Sequence, residues 1–180
     1  EPKLPEYDII EIESGGQKRK IGIIGVCTID PNLYRAGALG GAMATATPVY
    51  ETAARLKKML VEEHGCDLVI PMTHQVMAED REMARLKMGF PVLVGGHDHD
   101  PYVEQVEGSW IVKTGCDATS AAIIDIVWPS ASTPGEEPEV TVKLVTCKEY
   151  PENKQLSLIA KKHNHVVVEM ESAFLCIIPE

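Results

Sequence analysis

Residues 90–100 read FPVLVGGHDHD, an apolar run that passes through two glycines into two histidines one residue apart. The apolar run predicts a buried strand, and glycine lets the backbone that follows it approach another group closely. Histidine has an unperturbed pKa of ~6.5, is mostly neutral at pH 7 and is the commonest metal ligand. A third histidine, His74, ends a second apolar run over residues 68–74. Histidines at the carboxyl ends of two parallel strands predict a metal site at that edge of a sheet.

The composition narrows the classes of function that the chain can serve. The chain has 180 residues, of which 44% are hydrophobic, and its formal net charge is −10. This length suits one domain with a sizeable core. The negative charge argues against binding a nucleic-acid polymer, although bound metal can reverse the field locally for a small phosphorylated substrate. No run of about 18 apolar residues is present, so the sequence predicts no membrane span in this segment.

The cysteines give information about the redox compartment of the protein and little about its fold. The five cysteines form no C-x-x-C pair and have no regular spacing; they stand at positions 27, 66, 116, 147 and 176. Most lie in or beside apolar runs, which predicts small buried residues rather than a disulfide framework. Cys27 and Cys116 could lie near the histidines, but burial is the stronger expectation for both. This usage favours a reducing, cytoplasmic compartment. The first residues, EPKLP, are no signal peptide, and both ends are typical of a segment from a larger protein.

The chain alternates strand and helix in its first half. Strands are expected over residues 8–12, 21–27, 67–73 and 90–94, a loop over 29–48, and helices over 48–64 and roughly 79–87. The second half predicts a β meander with strands over residues 109–114, 121–128 and 140–147, then a helix over 152–162, while 166–178 is ambiguous. The mixture predicts a layered α/β architecture. We expect the strands that end at Cys27, His74 and His99 to share one sheet, with the 48–64 helix on its outer face.

Three motifs occur in a fixed order: Thr73-His74, then EDREMA at residues 79–84, then GGHDH at residues 95–99. Together they resemble the calcineurin-like metallophosphoesterases, and most closely their 5′-nucleotidase branch. The resemblance implies an α/β fold that is part of a four-layer α-β-β-α sandwich with mixed sheets. Residues 1–150 would be the C-terminal half of that domain, and residues 151–180 would be a linker helix and strand towards a further C-terminal domain.

The same resemblance implies a hydrolase and a set of ligands. A dinuclear centre of zinc, manganese or iron, with metals ~3.5–4 Å apart, would generate a hydroxide nucleophile for phosphomonoester hydrolysis. His74 and His97 would bind one metal and His99 the other. Asp98 would either orient the histidines from outside the coordination sphere or only solvate the loop. The implied substrate is a small phosphorylated molecule, a nucleotide, which suggests a role in nucleotide catabolism. No catalytic group and no substrate-binding residue is assigned in this segment.

The chain departs from the family in one respect. It contains no D-x-H, G-D-x-x-D/N or G-N-H-E/D element, which supply the other ligands in the family. We therefore expect the remainder of the same polypeptide, or a partner chain, to complete the site, and the isolated chain to be inactive. Two alternatives stay open: a non-catalytic structural or interaction protein that keeps the fold, and a simple metal-binding module on three histidines. Related enzymes are often periplasmic or cell-surface proteins, which leaves localisation undecided.

Several polar residues near the motifs have simpler interpretations. Asp80 and Arg81 are expected to start a helix and to form a surface or interlayer ion pair. Asp100 is expected to solvate its loop.

Two further features suggest ligands but have a stronger structural interpretation. His163 and His165 form a second H-x-H, but they adjoin a helical pattern, in which residues two apart point in nearly opposite directions. We interpret them as structural or solvent-exposed. Arg35, with the loop over residues 36–47, could reach a phosphate but is expected to pack on the core.

Overall fold

A computed structural model describes residues 5–34, 46–129 and 136–173. The strands are β1 Tyr7–Ser14, β2 Gln17–Cys27, β3 Leu68–His74, β4 Val92–Gly95, β5 Pro101–Val106, β6 Ser109–Thr114, β7 Ser120–Val127 and β8 Glu139–Thr146. The α-helices are α1 Val49–Glu62, α2 Met77–Arg85 and α3 Lys154–Ser172, and short 3₁₀ turns lie at Pro31–Leu33 and Cys147–Glu149. The chain divides into two compact units between Cys147 and Lys148.

Six strands of the first unit form one mixed sheet in the order β1-β2-β3-β4-β6-β5. The central strands β2, β3, β4 and β6 are parallel, and β1 and β5 are antiparallel strands at the two edges. The expected α/β class is therefore confirmed, as is the placement of the strands that lead to Cys27, His74 and the His97 loop in one sheet. Cys27 pairs with His74 and Thr73 with Gly95, so these strands end at a common edge.

Helix α1 packs on this sheet because its apolar residues recur at helical spacing. Ala53, Leu56 and Leu60 are buried and share a core with Ile24 of β2. Gly22 of β2 permits the close contact, because a Cβ built on Gly22 would lie only 2.8 Å from Leu60 Cδ1. The Leu60 side chain of the helix thus packs directly against the backbone of β2 at Gly22. The expected packing of the 48–64 helix on the sheet is therefore confirmed.

Strands β7 and β8 form a separate antiparallel sheet. The prediction of one continuous meander over residues 109–147 is wrong, because β6 pairs with β4 and β5 and the chain then leaves the sheet. Asp117 and Ala118 both have positive φ angles, 57° and 53°, which turn the chain away between β6 and β7. The Trp110 indole donates to the Val140 carbonyl at 2.9 Å and links the two sheets.

Strand β5 is an element that the sequence patterns do not predict. It forms a hairpin with β6 through Glu107 and Gly108, whose φ angles are both positive, 49° and 90°. Two central residues with positive φ are typical of the type I′ turn that suits the twist of a hairpin. The two-residue spacing between the apolar runs is the available signal.

The second unit contains α3, which begins at Asn153. The Asn153 side chain accepts hydrogen bonds from the amides of Gln155 and Leu156 and so caps the helix. The helix expected over residues 152–162 continues to Ser172, which settles the ambiguous stretch up to that point. In the described ranges, none of the helices combines the length and apolar character that crossing a membrane requires.

An ion pair holds α2 to β5. Arg81 Nε lies 2.7 Å from Glu104 Oε1, and Arg81 Nη2 lies 2.9 Å from Glu104 Oε2, so the guanidinium binds the carboxylate with two hydrogen bonds. These hydrogen bonds hold the pKa of Glu104 below its ordinary value of 4.5. A lowered carboxyl pKa in the folded state means that the pair stabilises the fold above about pH 4.5 and loses this effect as the pH falls further.

Replacement of Leu60 by alanine should destabilise the first unit strongly. The change removes a fully buried side chain from the contact with Gly22, and core Leu→Ala changes cost about 2–5 kcal/mol. Urea unfolding monitored by circular dichroism measures the loss. Val61→Ala is the matched control, because Val61 is the next residue and is 42% exposed. Equal losses in the two variants would contradict the described packing of α1.

Replacement of Glu104 by glutamine should lower the Tm by a few degrees at most at pH 7, because it removes a partly exposed ion pair. The difference from the wild type should shrink as the pH falls below 4.5, the ordinary pKa of Glu104, since the wild-type carboxylate is then being protonated. Thermal unfolding from pH 7 to pH 3 tests this. Glu13→Gln serves as the control, because Glu13 contacts Lys18 only at 3.7 Å with both side chains exposed. A difference that stays constant to pH 3 would refute the linkage.

Candidate metal centre

The candidate site lies at the carboxyl ends of β3 and β4. His74 is the last residue of β3, and Gly96 and His97 follow directly after β4. The Gly96 amide donates to the Thr73 carbonyl at 2.7 Å, which continues the pairing of the two strands past Gly95. This parallel pairing brings two histidines that are far apart in the sequence to the same edge of the sheet.

The imidazole rings of His74 and His97 form an edge-to-face pair. Their centroids are 5.1 Å apart and their planes make an angle of 88°. A Cβ built on Gly96 would lie 3.1 Å from His74 Nδ1, closer than side-chain atoms normally approach. Glycine at position 96 therefore leaves the space that the His74 ring occupies, which is the close approach that the Gly-Gly motif predicts.

The backbone at His97 has a strained conformation. His97 has a φ of 75°, and the Asp98 amide donates to the Gly96 carbonyl at 3.0 Å across it. Residues 96–98 thus form a γ-turn of the rare type with a positive central φ. A residue other than glycine in such a region costs of order 1–3 kcal/mol, and such strain persists only where the surroundings enforce it.

A buried lysine lies behind this turn. Lys113 of β6 is fully buried, and its Nζ donates to the Gln75 carbonyl at 2.5 Å, the Gly96 carbonyl at 2.9 Å and Asp98 Oδ2 at 2.5 Å. Asp80 Oδ2 of α2 lies 2.8 Å from the same ammonium. We refer to Lys113, Gln75, Asp80, Gly96 and Asp98 as the Lys113 cluster. It joins β6, α2 and the two loops that follow β3 and β4, next to His74 and His97; we call these the histidine loops.

Asp80 is completely buried within this cluster. Burial raises the pKa of the Asp80 carboxyl above its ordinary value, while its contacts with Lys113 and Thr73 oppose that rise. Asp80 lies in the first turn of α2 and pairs with Lys113 in the interior, and Arg81 pairs with Glu104 on β5. The expected surface or interlayer ion pairing is therefore confirmed, with partners from β6 and β5.

The predicted site residues lie in different surroundings. His74 and His97 are brought together, and Asp98 directs a carboxylate oxygen to Lys113. Within residues 5–34, 46–129 and 136–173, no three His, Cys, Asp or Glu side chains are grouped so that they could hold a metal ion. The assignment of His99 to the second metal stays a prediction.

The pair of imidazoles nevertheless fits a divalent transition metal as two of its ligands. Imidazole nitrogens suit zinc and iron, and the glycine at position 96 keeps the His74 ring free of a steric obstacle. A groove of about 510 Å³ opens beside His74, lined by the carboxyl ends of β2, β3 and β4. Cys27 lines it and is exposed, so the expectation of a buried Cys27 is wrong.

A larger cavity of about 830 Å³ lies at the opposite, amino ends of the strands. Its cations already have partners: Arg19 pairs with Asp67 at 2.9 Å, and Lys87 pairs with Glu107 at 2.7 Å. Lys57 donates to two backbone carbonyls there. Charges that are satisfied in this way offer little to an anionic ligand, so the histidine edge is the better candidate.

The remaining sequence-based candidates lie elsewhere. His163 and His165 lie exposed on α3, and His165 Nδ1 is 3.0 Å from the Lys162 carbonyl. Arg35 and most of its loop lie outside the described residues, as does Cys176. Cys116 follows β6, and its hydrogen bond to Asp117 raises the pKa of the thiol, which disfavours a thiolate nucleophile.

Sequence reasoning missed Lys113 altogether. Lysine is almost never fully buried unless it is paired, so a lysine in a strand is normally assigned to the solvent face. The available signal was its position two residues after Ile111, since alternate residues of a strand share one face. Ile111 is fully buried against α2, and Lys113 follows it on that face.

Solved structures share this arrangement of strands and helices. The sulfate thiohydrolase SoxB from Thermus thermophilus matches with a TM-score of 0.69 at 16% identity, covering 97% of this chain and 31% of that one. A 5′-nucleotidase precursor, also from Thermus thermophilus, matches with a TM-score of 0.62 at 20% identity, covering 92% of this chain and 35% of that one. The chain has the fold of the matching part of these two proteins, which are calcineurin-like metallophosphoesterases.

The resemblance inferred from the three motifs is thus confirmed at the level of the fold. The chain spans about a third of the length of each of these two structures. No protein-family model and no curated protein sequence matches it.

Replacement of Gly96 by alanine should displace the His74 ring, because the new methyl group would stand 3.1 Å from His74 Nδ1. Histidine-selective ¹⁵N labelling gives a simple spectrum, since the chain has only six histidines. The His74 and His97 ring resonances should shift clearly. Gly25→Ala is the control at the same edge, because a Cβ there meets nothing within 4 Å. Ring resonances that move no more in Gly96→Ala than in Gly25→Ala would contradict the described contact.

Proposed function

We propose that this chain supplies part of a dinuclear metal centre in a phosphomonoester hydrolase of the 5′-nucleotidase type. The observation that supports the proposal is the pair of imidazoles, His74 and His97, held 5.1 Å apart at the carboxyl edge of parallel strands. The fold that the chain shares with a solved 5′-nucleotidase precursor agrees with this assignment.

His74 and His97 would hold one divalent metal, which is zinc, manganese or iron, and His99 would contribute to the second. A bound divalent metal supplies Lewis-acid activation of a phosphoryl group and of water. The residues of the chain position the two imidazoles and leave room for the substrate. The γ-turn at His97 sets the backbone from which its ring projects, Gly96 leaves room for the ring of His74, and the groove beside His74 has room for a small substrate.

The proposed substrate is a small phosphorylated molecule, and a nucleotide is the first candidate. The formal net charge of −10 disfavours a long polyanion, which would be repelled over its whole length. A nucleoside monophosphate has a single phosphoryl group that bound metal can neutralise locally. The remaining ligands would come from the rest of the same polypeptide or from a partner chain.

The His97→Ala variant of the full-length protein should lose most of its phosphatase activity, by about 100-fold or more, together with bound metal. Loss of a direct ligand opens the coordination sphere and misplaces the phosphoryl group. Metal analysis should be paired with hydrolysis of p-nitrophenyl phosphate and of a nucleoside monophosphate. His163→Ala is the matched control, because His163 is exposed on α3.

The assay should include a thiosulfate ester, because one solved neighbour is a sulfate thiohydrolase. If the protein hydrolysed only that ester, the proposed substrate class would change from phosphoryl compounds to sulfur compounds. Full activity in His97→Ala would contradict the proposal. So would a wild-type protein that hydrolyses none of these substrates after loading with zinc, manganese or cobalt. Either result would favour a non-catalytic protein that retains the fold.

A further inference from the structure

We propose that Lys113 is a positioning residue, whose ammonium ties the residue after His74 to the two residues that flank His97 and so sets the geometry of the imidazole pair. The proposal rests on the proposed function in one respect, namely that the pair serves as metal ligands. It concerns a residue that the three motifs do not include.

The contacts of Lys113 lie on both histidine loops. Gln75 directly follows His74, and its carbonyl accepts from Lys113 Nζ at 2.5 Å. Gly96 and Asp98 directly flank His97 and accept at 2.9 Å and 2.5 Å. An ammonium has three N–H donors, and these three acceptors use all of them. Lys113 is also fully buried, so it acts on the site through the two loops and not on a substrate.

The conformation of His97 explains why such a connection is needed. The Gly96 carbonyl accepts both the Asp98 amide, which closes the γ-turn, and the Lys113 ammonium. With a φ of 75°, His97 has no intrinsic preference for this turn. Contacts on the carbonyl before it and on the carboxylate after it therefore enforce the turn from both sides.

The two glycines of the GGHDH motif leave space for different side chains. A Cβ built on Gly95 would lie 2.9 Å from Lys113 Cε and 3.2 Å from Asp80 Oδ2, whereas one built on Gly96 would lie 3.1 Å from His74 Nδ1. Gly95 therefore leaves space for the buried ion pair, and Gly96 leaves space for the ligand. Asp80, 2.8 Å from Lys113 Nζ, provides the buried lysine with an opposite charge.

The test compares three variants of the full-length protein, labelled selectively at histidine. Lys113→Met keeps the length of the side chain and removes the ammonium. Asp98→Asn keeps the shape of the acceptor and removes its charge, at a side chain that is 24% exposed and so tolerates the change more easily. Arg81→Met is the control, because it breaks an ion pair of α2 whose partner is Glu104 of β5 and not a residue of the Lys113 cluster.

Two measurements report on position and on ligation separately. The nuclear Overhauser effect between the His74 and His97 ring protons reports their contact in the metal-free protein. Titration with Co²⁺, followed by its visible absorption bands, reports metal affinity. Lys113→Met should lose the ring contact and bind Co²⁺ at least about tenfold more weakly. Asp98→Asn should change both in the same direction by less, and Arg81→Met should change neither.

A folded Lys113→Met protein with an intact ring contact and Co²⁺ affinity within twofold of the wild type would overturn the proposal. If Lys113→Met does not fold, Asp98→Asn decides, and an unchanged ring contact and affinity in that variant would overturn it. A wild type that shows the ring contact but binds no Co²⁺ would refute the proposed function alone. The comparison of ring contacts would then still decide the role of Lys113.

Discussion

The buried charge of Lys113 is the constraint on which the arrangement of the candidate site depends. A fully buried ammonium is tolerated only when it is paired and hydrogen-bonded, and here its partners come from α2 and from the loops after β3 and β4. Because every partner must be present at once, the position of one group fixes several segments of backbone. The cost of removing one member is large, since a charge would then remain buried without compensation.

The parallel strands and the buried lysine contribute different things to the site. Parallel pairing of β3 with β4 determines that His74 and His97 reach the same edge of the sheet. It does not determine how their rings face each other, because both side chains lie at or beyond the last paired residues. The orientation depends on the γ-turn at His97 and on the close approach at Gly96. The site is therefore a strand-end arrangement completed by contacts from a third strand, β6.

The sequence predicts the parts of the structure that have strong hydrophobic patterns. The apolar runs of β2, β3 and β4 and the helical spacing in α1 are sufficient for the parallel core and the common edge. Strand β5 is not predicted because the charged Glu104 interrupts the apolar residues on its partly buried face, and the Glu107-Gly108 turn is its clearest signal. The assignment of β7 to a second sheet depends on the positive φ angles at Asp117 and Ala118. Lys113 is missed because its burial follows from contacts across the fold, not from its neighbours in the sequence.

The order of residues along the chain has a consequence for how the protein matures. Lys113 is separated from Gln75, Gly96 and Asp98 by 38, 17 and 15 positions, and it is the last of them to be synthesised. A nascent chain that ends before β6 would already contain all three histidines of the motifs but not the ammonium that holds their loops. The contacts of Lys113 with these loops cannot form before β6 has been synthesised. We expect the ligand-bearing edge formed by β3 and β4 to acquire its final shape only when β6 joins the sheet.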